Sequence, residues 1–197
     1  SYARERIFVN CGTHPTSPTW QEALRSTPAH STLIIDDRNM CDLHKDGSMG
    51  HRPKTAVVNR EDQNQSSIID ACHDGHVPVN GMTHRRRFYL ADNGHDLRGE
   101  DNLTSAIDIT TPHDVAVRFH LHPNVMVSLV QGGQEALLRL NNGTGWRFTI
   151  TGGELELENS VYLGEGIRPR KTKQLVVRGN VDSNTQQFKW ALQRETK

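Results

Sequence analysis

Aromatic side chains are scarce in this 197-residue chain, where phenylalanine, tryptophan and tyrosine together make up 6%. A free-standing sugar-binding surface built on stacked rings has little to work with, and only Trp20 and Tyr2 lie off the apparent core strands that hold Trp146 and Trp190. Cysteine is scarcer still. Cys11, Cys41 and Cys72 are odd in number, far apart and without a CxxC pair, which excludes a disulfide framework and a zinc ribbon. Net charge is absent: 23 Lys plus Arg balance 23 Asp plus Glu. Nonspecific attraction to nucleic acid or an anionic membrane is therefore not expected, and any polyanion site must be local. No apolar run approaches the roughly 18 residues a membrane-spanning helix needs, and Ser1 to Arg6 carries no signal-peptide core. Nucleophile elbow, phosphate loop and zinc-protease signatures are all missing.

What is present is a succession of short alternating runs, the mark of strands. In the second half they fall at Arg85 to Ala91, Val115 to His122, Val125 to Val130, Ala136 to Leu140, Trp146 to Ile150, Leu155 to Leu163, Gln174 to Arg178 and Phe188 to Leu192. Turn residues separate them: Asp92-Asn93-Gly94, Gln131-Gly132-Gly133, Asn141-Asn142-Gly143 and Thr151-Gly152-Gly153. The first half is less regular, with strands expected at Ile7 to Cys11, Ser31 to Asp36, Ala56 to Arg60 and Ser67 to His73. Ser17-Pro18-Thr19 can cap one helical turn at Trp20 to Arg25. Asp36 to Lys54 reads as a long irregular loop. The pattern predicts an all-β antiparallel meander of stacked sheets, a sandwich or jelly roll with few or no helices, forming a single domain over residues 1–197.

The sharpest chemical signal is His120 and His122, two apart on a strand and so on one face, opposite Phe119 and Leu121. They can be a metal pair, a polar ladder, a buried hydrogen-bonded pair or a glycan contact. A jelly-roll metal site would place a glutamate soon after them, and Pro123 to Ser128 contains no carboxylate. His84-Arg85-Arg86-Arg87 opens a strand, where alternation lets at most two arginines converge on one anion; Arg85 and Arg86 are candidate glycan contacts. Arg168-Pro169-Arg170-Lys171-Thr172-Lys173 reads as a charged hairpin tip of the kind that blocks edge aggregation. His73-Asp74-Gly75-His76 suggests a turn, and the adjacent pairs Asp36-Asp37 and Glu100-Asp101 should point to opposite faces.

Several strings resemble the C-terminal β-sandwich of the bacterial heparinase II/III-like family. They are Arg4 to Gly12, Ala29 to Leu33, His73-Asp74-Gly75, His84 to Leu90, Leu97 to Asp101, Arg118 to Pro123, Gly145 to Phe148 and Ser160 to Gly164, in order along nearly the whole chain. The resemblance implies the C-terminal part of a longer protein in which an N-terminal α/α toroid and the sandwich together cleave uronate-containing acidic polysaccharides by β-elimination. It implies that the sandwich alone is inert, since the tyrosine and one histidine come from the toroid and another histidine from a His-x-His pattern upstream of Ile7. It also implies a role for His30 in the cleft, catalytic or metal-binding. Some members hold zinc with a His of this string and an Asp where Asn10 stands here, and neutral Asn is a poor zinc ligand. No cofactor is expected, with zinc the one metal left open. The implied partners are an acidic polysaccharide and the toroid, with no nucleic acid and no membrane span. The compartment, bacterial periplasm or cytoplasm, stays open. The competing reading is a noncatalytic carbohydrate-binding or envelope interaction domain that kept the fold and lost the chemistry.

Overall fold

The computed structural model describes residues 1–63 and 65–195. In chain order its elements are β1 (Phe8–Val9), α1 (Pro18–Arg25), β2 (Leu33–Ile35), β3 (Ala56–Gln63), β4 (Ser66–His73), α2 (Val77–Asn80), β5 (Met82–Leu90), β6 (Asp96–Ser105), β7 (His113–Leu121), β8 (Met126–Val130), β9 (Glu135–Arg139), β10 (Gly145–Thr151), β11 (Glu154–Tyr162), β12 (Arg170–Val181) and β13 (Thr185–Arg194). They make an all-β sandwich. An eight-stranded antiparallel sheet runs β3-β4-β5-β6-β13-β10-β9-β8, and a five-stranded sheet runs β1-β7-β12-β11 with β2 also on β7.

The connections are not a simple meander. The chain builds β3 to β6 in the large sheet, crosses to β7, returns for β8 to β10, crosses again for β11 and β12, and closes with β13 between β6 and β10. The reason lies in β7, whose residues Val115 to Leu121 are all buried. One face packs Val115, Val117, Phe119 and Leu121 into the core, and the other packs Ala116 with Ile34 and Val176. A strand covered on both faces reads as a near-continuous apolar run and belongs at the middle of a sheet.

The strand over Asp96–Ser105 has no counterpart in the expected pattern. Its inward positions are Leu97, Gly99, Asp101 and Leu103, and two of these four look wrong for a core. Gly99 is required because a β-carbon there would strike the Trp190 indole, and Asp101 is a buried charge. The core is aromatic at its centre, with Phe119 4.9 Å from Trp190 and 5.0 Å from Phe148, ring to ring and edge-on. Trp146 and Trp190 are buried as expected. Tyr2 is occupied too, edge-on to Trp146 at 5.2 Å, and Trp20 packs on the cluster of Cys11, Leu24, Ala29 and Leu163.

Helix α1 is longer than the single turn expected. Ser17 caps it by accepting the Trp20 N–H, with Pro18 in its first turn. Asp36 and Asp37 are not on a strand at all: both have left-handed backbone, φ 51° and 52°. The turn lets the Asp36 carboxylate accept from Asn80, His113 and the Asp114 N–H, fastening the long loop's start to α2 and β7.

Candidate functional site

His120 and His122 are both buried. The Pro28 carbonyl can only accept, so His120 carries its proton on Nε2 and donates to it at 2.8 Å. Nδ1 then accepts from the Ser160 hydroxyl at 2.7 Å, with Cys11 Sγ 3.5 Å away. Burial, more than any neighbouring charge, pushes His120 down to about 4, and it is neutral at ordinary pH. His122 donates from Nε2 to Glu165 at 3.3 Å, accepts the Asn124 N–H on Nδ1, and meets the Tyr162 ring edge-on. All four ring nitrogens have protein partners, which leaves none turned toward a sugar or a metal.

Alternation along β5 separates the arginines. Arg85 and Arg87 stand on the outer face and converge on Asp70, Arg85 through Nε at 2.7 Å and Arg87 at 3.6 Å. Arg86 points between the sheets. Its Nε donates to Asp101 at 2.6 Å and its Nη1 to the Ser31 carbonyl at 2.7 Å, and its guanidinium lies 5.8 Å from the centre of the Phe88 ring. Arg85 and Arg86 therefore do not meet on one anion.

Around Asp101 the structure builds a polar network that the strand pattern does not announce. The buried carboxylate accepts from Arg86, from His84 Nε2 at 2.7 Å and from Trp190 Nε1 at 3.2 Å. Burial pushes its carboxyl up, and the Arg86 charge with the His84 bond more than offsets that, leaving it at about 2. Gly75 N–H donates to His73 Nδ1, so His73 donates from Nε2 to His84 Nδ1 at 3.2 Å. A continuous line of hydrogen bonds thus runs from the turn after β4 to β6. Burial holds His73 at about 4 and His76 at about 3, so both are neutral.

His30 is different. Its Nδ1 donates to the Ser26 carbonyl at 3.0 Å, which leaves Nε2 with a lone pair. The ring is half-buried on the wall of a cleft of about 650 Å³ between α1 and the hairpin of residues 42–51. Arg25, His44, Lys45 and Asp46 share that cleft with Gly12 and Thr13 at its rim. Arg25 braces the hairpin by donating to the Gly47 carbonyl at 2.8 Å.

The donor set around His30 does not fit zinc. Among the described residues no three His, Cys, Asp or Glu side chains converge as a metal would require. Asn10 spends its amide oxygen on the Ser31 N–H at 2.9 Å, so it holds the turn carrying His30 and is not aimed at an ion.

Beside this geometry stand the relatives. The profile described as "Heparinase II/III-like, C-terminal" matches residues 1–191. The chain belongs to the heparinase II/III-like family. Among curated relatives, "FtsZ-localized protein C" of Caulobacter vibrioides is 29% identical, covering 91% of this chain. The alignment takes in 33% of that protein, so the chain spans about a third of its relative's length. Of solved structures, heparan sulfate lyase HepC from Pedobacter heparinus superposes with a TM-score of 0.77 at 13% identity, over 98% of this chain and 29% of its own. Heparinase III gives 0.73 at 9% identity, over 96% and 28%. At such identities the likeness is one of fold, and it matches the heparinase II/III-like sandwich to a minor part of much longer chains. No helix is long and apolar enough to cross a membrane among the described residues.

Proposed function

We propose that this sandwich is one wall of a binding site for uronate-containing acidic polysaccharide, in a longer lyase-type protein whose α/α toroid supplies the other wall. The observation that carries this reading is His30: an imidazole with one nitrogen tied to the backbone and the other bare, in an open cleft that holds Arg25 and Lys45 alongside the carboxylates of Glu22 and Asp46.

β-Elimination at a uronate needs a base for the proton beside the carboxylate, an acid for the departing glycosidic oxygen, and positive charge to stabilise the enolate that forms. His30 Nε2 can take or relay a proton, and Arg25 and Lys45 can face a carboxylate. No tyrosine lines the cleft among the described residues; His44 lies there beside His30, and in this reading the toroid supplies the rest of the acid–base machinery. The chain by itself binds the polymer and does not cleave it.

A second reading has two observations in its favour. Asn10 is neutral and engaged by Ser31, and a relative with higher identity than the lyase structures is described by its localization to FtsZ. On that reading the domain binds a partner or glycan without chemistry.

The test incubates this chain, and the longer protein that carries it, with heparan sulfate and alginate, following the ultraviolet absorbance of the unsaturated product alongside equilibrium binding. Turnover by the longer protein with binding alone by this chain is the expected result. Binding without turnover in either form moves the assignment to the noncatalytic reading, and absence of both rejects the cleft as a glycan site.

A further inference from the structure

The connection between β11 and β12, residues 163–169, stands beyond the sandwich with every residue from Gly164 to Pro169 exposed. With the first residues of β12 included, Arg168, Arg170 and Lys171 stand against the single carboxylate of Glu165. Arg170 meets Glu165 at 2.9 Å, Arg6 meets the same carboxylate at 3.4 Å, and His122 also donates to it. One carboxylate thus serves both arginines, while Arg168 and Lys171 are exposed and no carboxylate lies within ion-pair distance of either among the described residues. In a chain of zero net charge this is a local positive end.

That end adjoins the His30 cleft through backbone alone. Gly12, on the cleft rim, bridges to Leu163, and the Leu163 N–H donates to the Cys11 carbonyl. A β-carbon on Gly12 would fall 2.5 Å from the Gly164 nitrogen. The two backbones therefore touch at a glycine–glycine saddle that makes the cleft and the hairpin contiguous.

We infer that the hairpin is a second anion subsite for the same polymer, in which Arg168 and Lys171, backed by Arg170 and Arg6, take carboxylate or sulfate groups of sugars lying beyond those in the His30 cleft. The inference rests on the glycan reading above and adds to it a dependence on chain length. A short oligosaccharide fills the cleft alone, and a longer one crosses the saddle and gains the hairpin's charges. A solvated charged tip, which merely discourages edge-to-edge aggregation, gives no such dependence.

The experiment measures equilibrium binding of heparin-derived oligosaccharides of graded length, from disaccharide upward, to this chain and to the double variant Arg168→Ala/Lys171→Ala. Both positions are exposed, so folding should be intact, and coincident thermal unfolding verifies it. The expected result is affinity that rises with length in the parent chain, a loss of about tenfold for the long oligosaccharides in the variant, and an unchanged affinity for the shortest. Counterion release predicts that the slope of log affinity against log salt falls by about two for the long ligands. Duplex DNA serves as an unrelated linear polyanion. Long and short heparin fragments weakened equally, or neither weakened while binding persists, overturns the subsite and leaves the cleft reading standing. A loss for DNA as large as for long heparin overturns it in favour of a generic polyanion patch. Failure of the parent chain to bind any fragment sinks the glycan reading itself, and the subsite with it.

Discussion

Replacing Asp101 with asparagine should be among the most damaging isosteric changes available to this fold. The carboxylate is buried, and three donors converge on it: Arg86 Nε and His84 Nε2 on one oxygen, Trp190 Nε1 on the other. Asparagine offers one acceptor oxygen and one donor group. If the oxygen serves Arg86 and His84, the amide nitrogen faces the indole N–H. If it serves Trp190, the amide faces a guanidinium. In both orientations Arg86, whose side chain is 12% exposed, loses its counter-ion. Breaking a buried pair on one side costs about 3–5 kcal/mol, and at about 2–4 °C per kcal/mol for a domain of this size the melting temperature should fall by about 6–20 °C. Thermal and urea unfolding read the change directly. The double variant Arg86→Met/Asp101→Leu removes both charges and should be less destabilised than Asp101→Asn, since no charge is left stranded. A loss below about 1 kcal/mol for Asp101→Asn, or a double variant worse than the single, would refute the account of this network as a charge that needs its partner.

Acid should weaken the fold before its carboxylates titrate. His76 and His120 are held at about 3 and about 4, below the unfolded value near 6.5. Above pH 6.5 neither state binds the proton and nothing is gained or lost. As pH falls from 6.5 the unfolded chain binds protons that the native one refuses, so stability drops until the folded values are reached. Between pH 7.5 and 5 the loss is about 2 kcal/mol for each of the two; urea midpoints that stay flat across this interval contradict it. Gly99→Ala drives a methyl into the Trp190 indole and should cost about 1–3 kcal/mol by overpacking, visible as a lower melting temperature with unchanged glycan binding. His30→Ala removes one hydrogen bond to Ser26, worth about 1 kcal/mol of stability. It should lower polysaccharide affinity severalfold, and unaltered affinity by titration calorimetry would take His30 out of the cleft's binding chemistry.

What the residues disclose unaided depends on how their environments alternate. Strands β8 to β11 are legible because Gly132-Gly133, Asn142-Gly143 and Gly152-Gly153 punctuate clean alternations. β6 is not, because Gly99 and Asp101 occupy inward positions where a pattern expects large apolar side chains, and each is explained only by Trp190, which arrives 89 residues after Asp101. The Asp101 network is hidden for the same reason: its members sit on β4, β5, β6 and β13 and meet only once the large sheet is assembled. Sheet order is likewise invisible, since a two-residue β1 and a three-residue β2 sharing one neighbour leave no periodic trace. His30 carries no local signature either. Its distinction, one nitrogen tied and one bare, is a matter of where the Ser26 carbonyl lies, and the resemblance of the Ala29 to Leu33 string to a known family marks it where periodicity does not.

One member of the histidine pair that dominates the chain as chemistry, His120, supports the cleft from behind. Residues 10–31, helix α1 with the loops on either side of it, lie over the outer face of the small sheet, and the loops need anchors for their backbone polar groups. His120 supplies one by donating to the Pro28 carbonyl. Ser31 supplies the others, its hydroxyl donating to the Val9 carbonyl and accepting the His120 N–H, while its own N–H goes to Asn10. His30 lies between these fixed points, one residue before Ser31 and two after Pro28. The backbone that carries its ring is therefore held by His120 and Asn10, neither of which lines the cleft, while the Ser26 carbonyl orients the ring itself. A charged His120 would lose its acceptor for the Ser160 hydroxyl, so burial that keeps the ring neutral also keeps the anchor intact. The positions where a metal reading would look for ligands are, in this chain, occupied by groups that hold the backbone beneath His30, and the place of His30 in the cleft depends on their remaining neutral and paired.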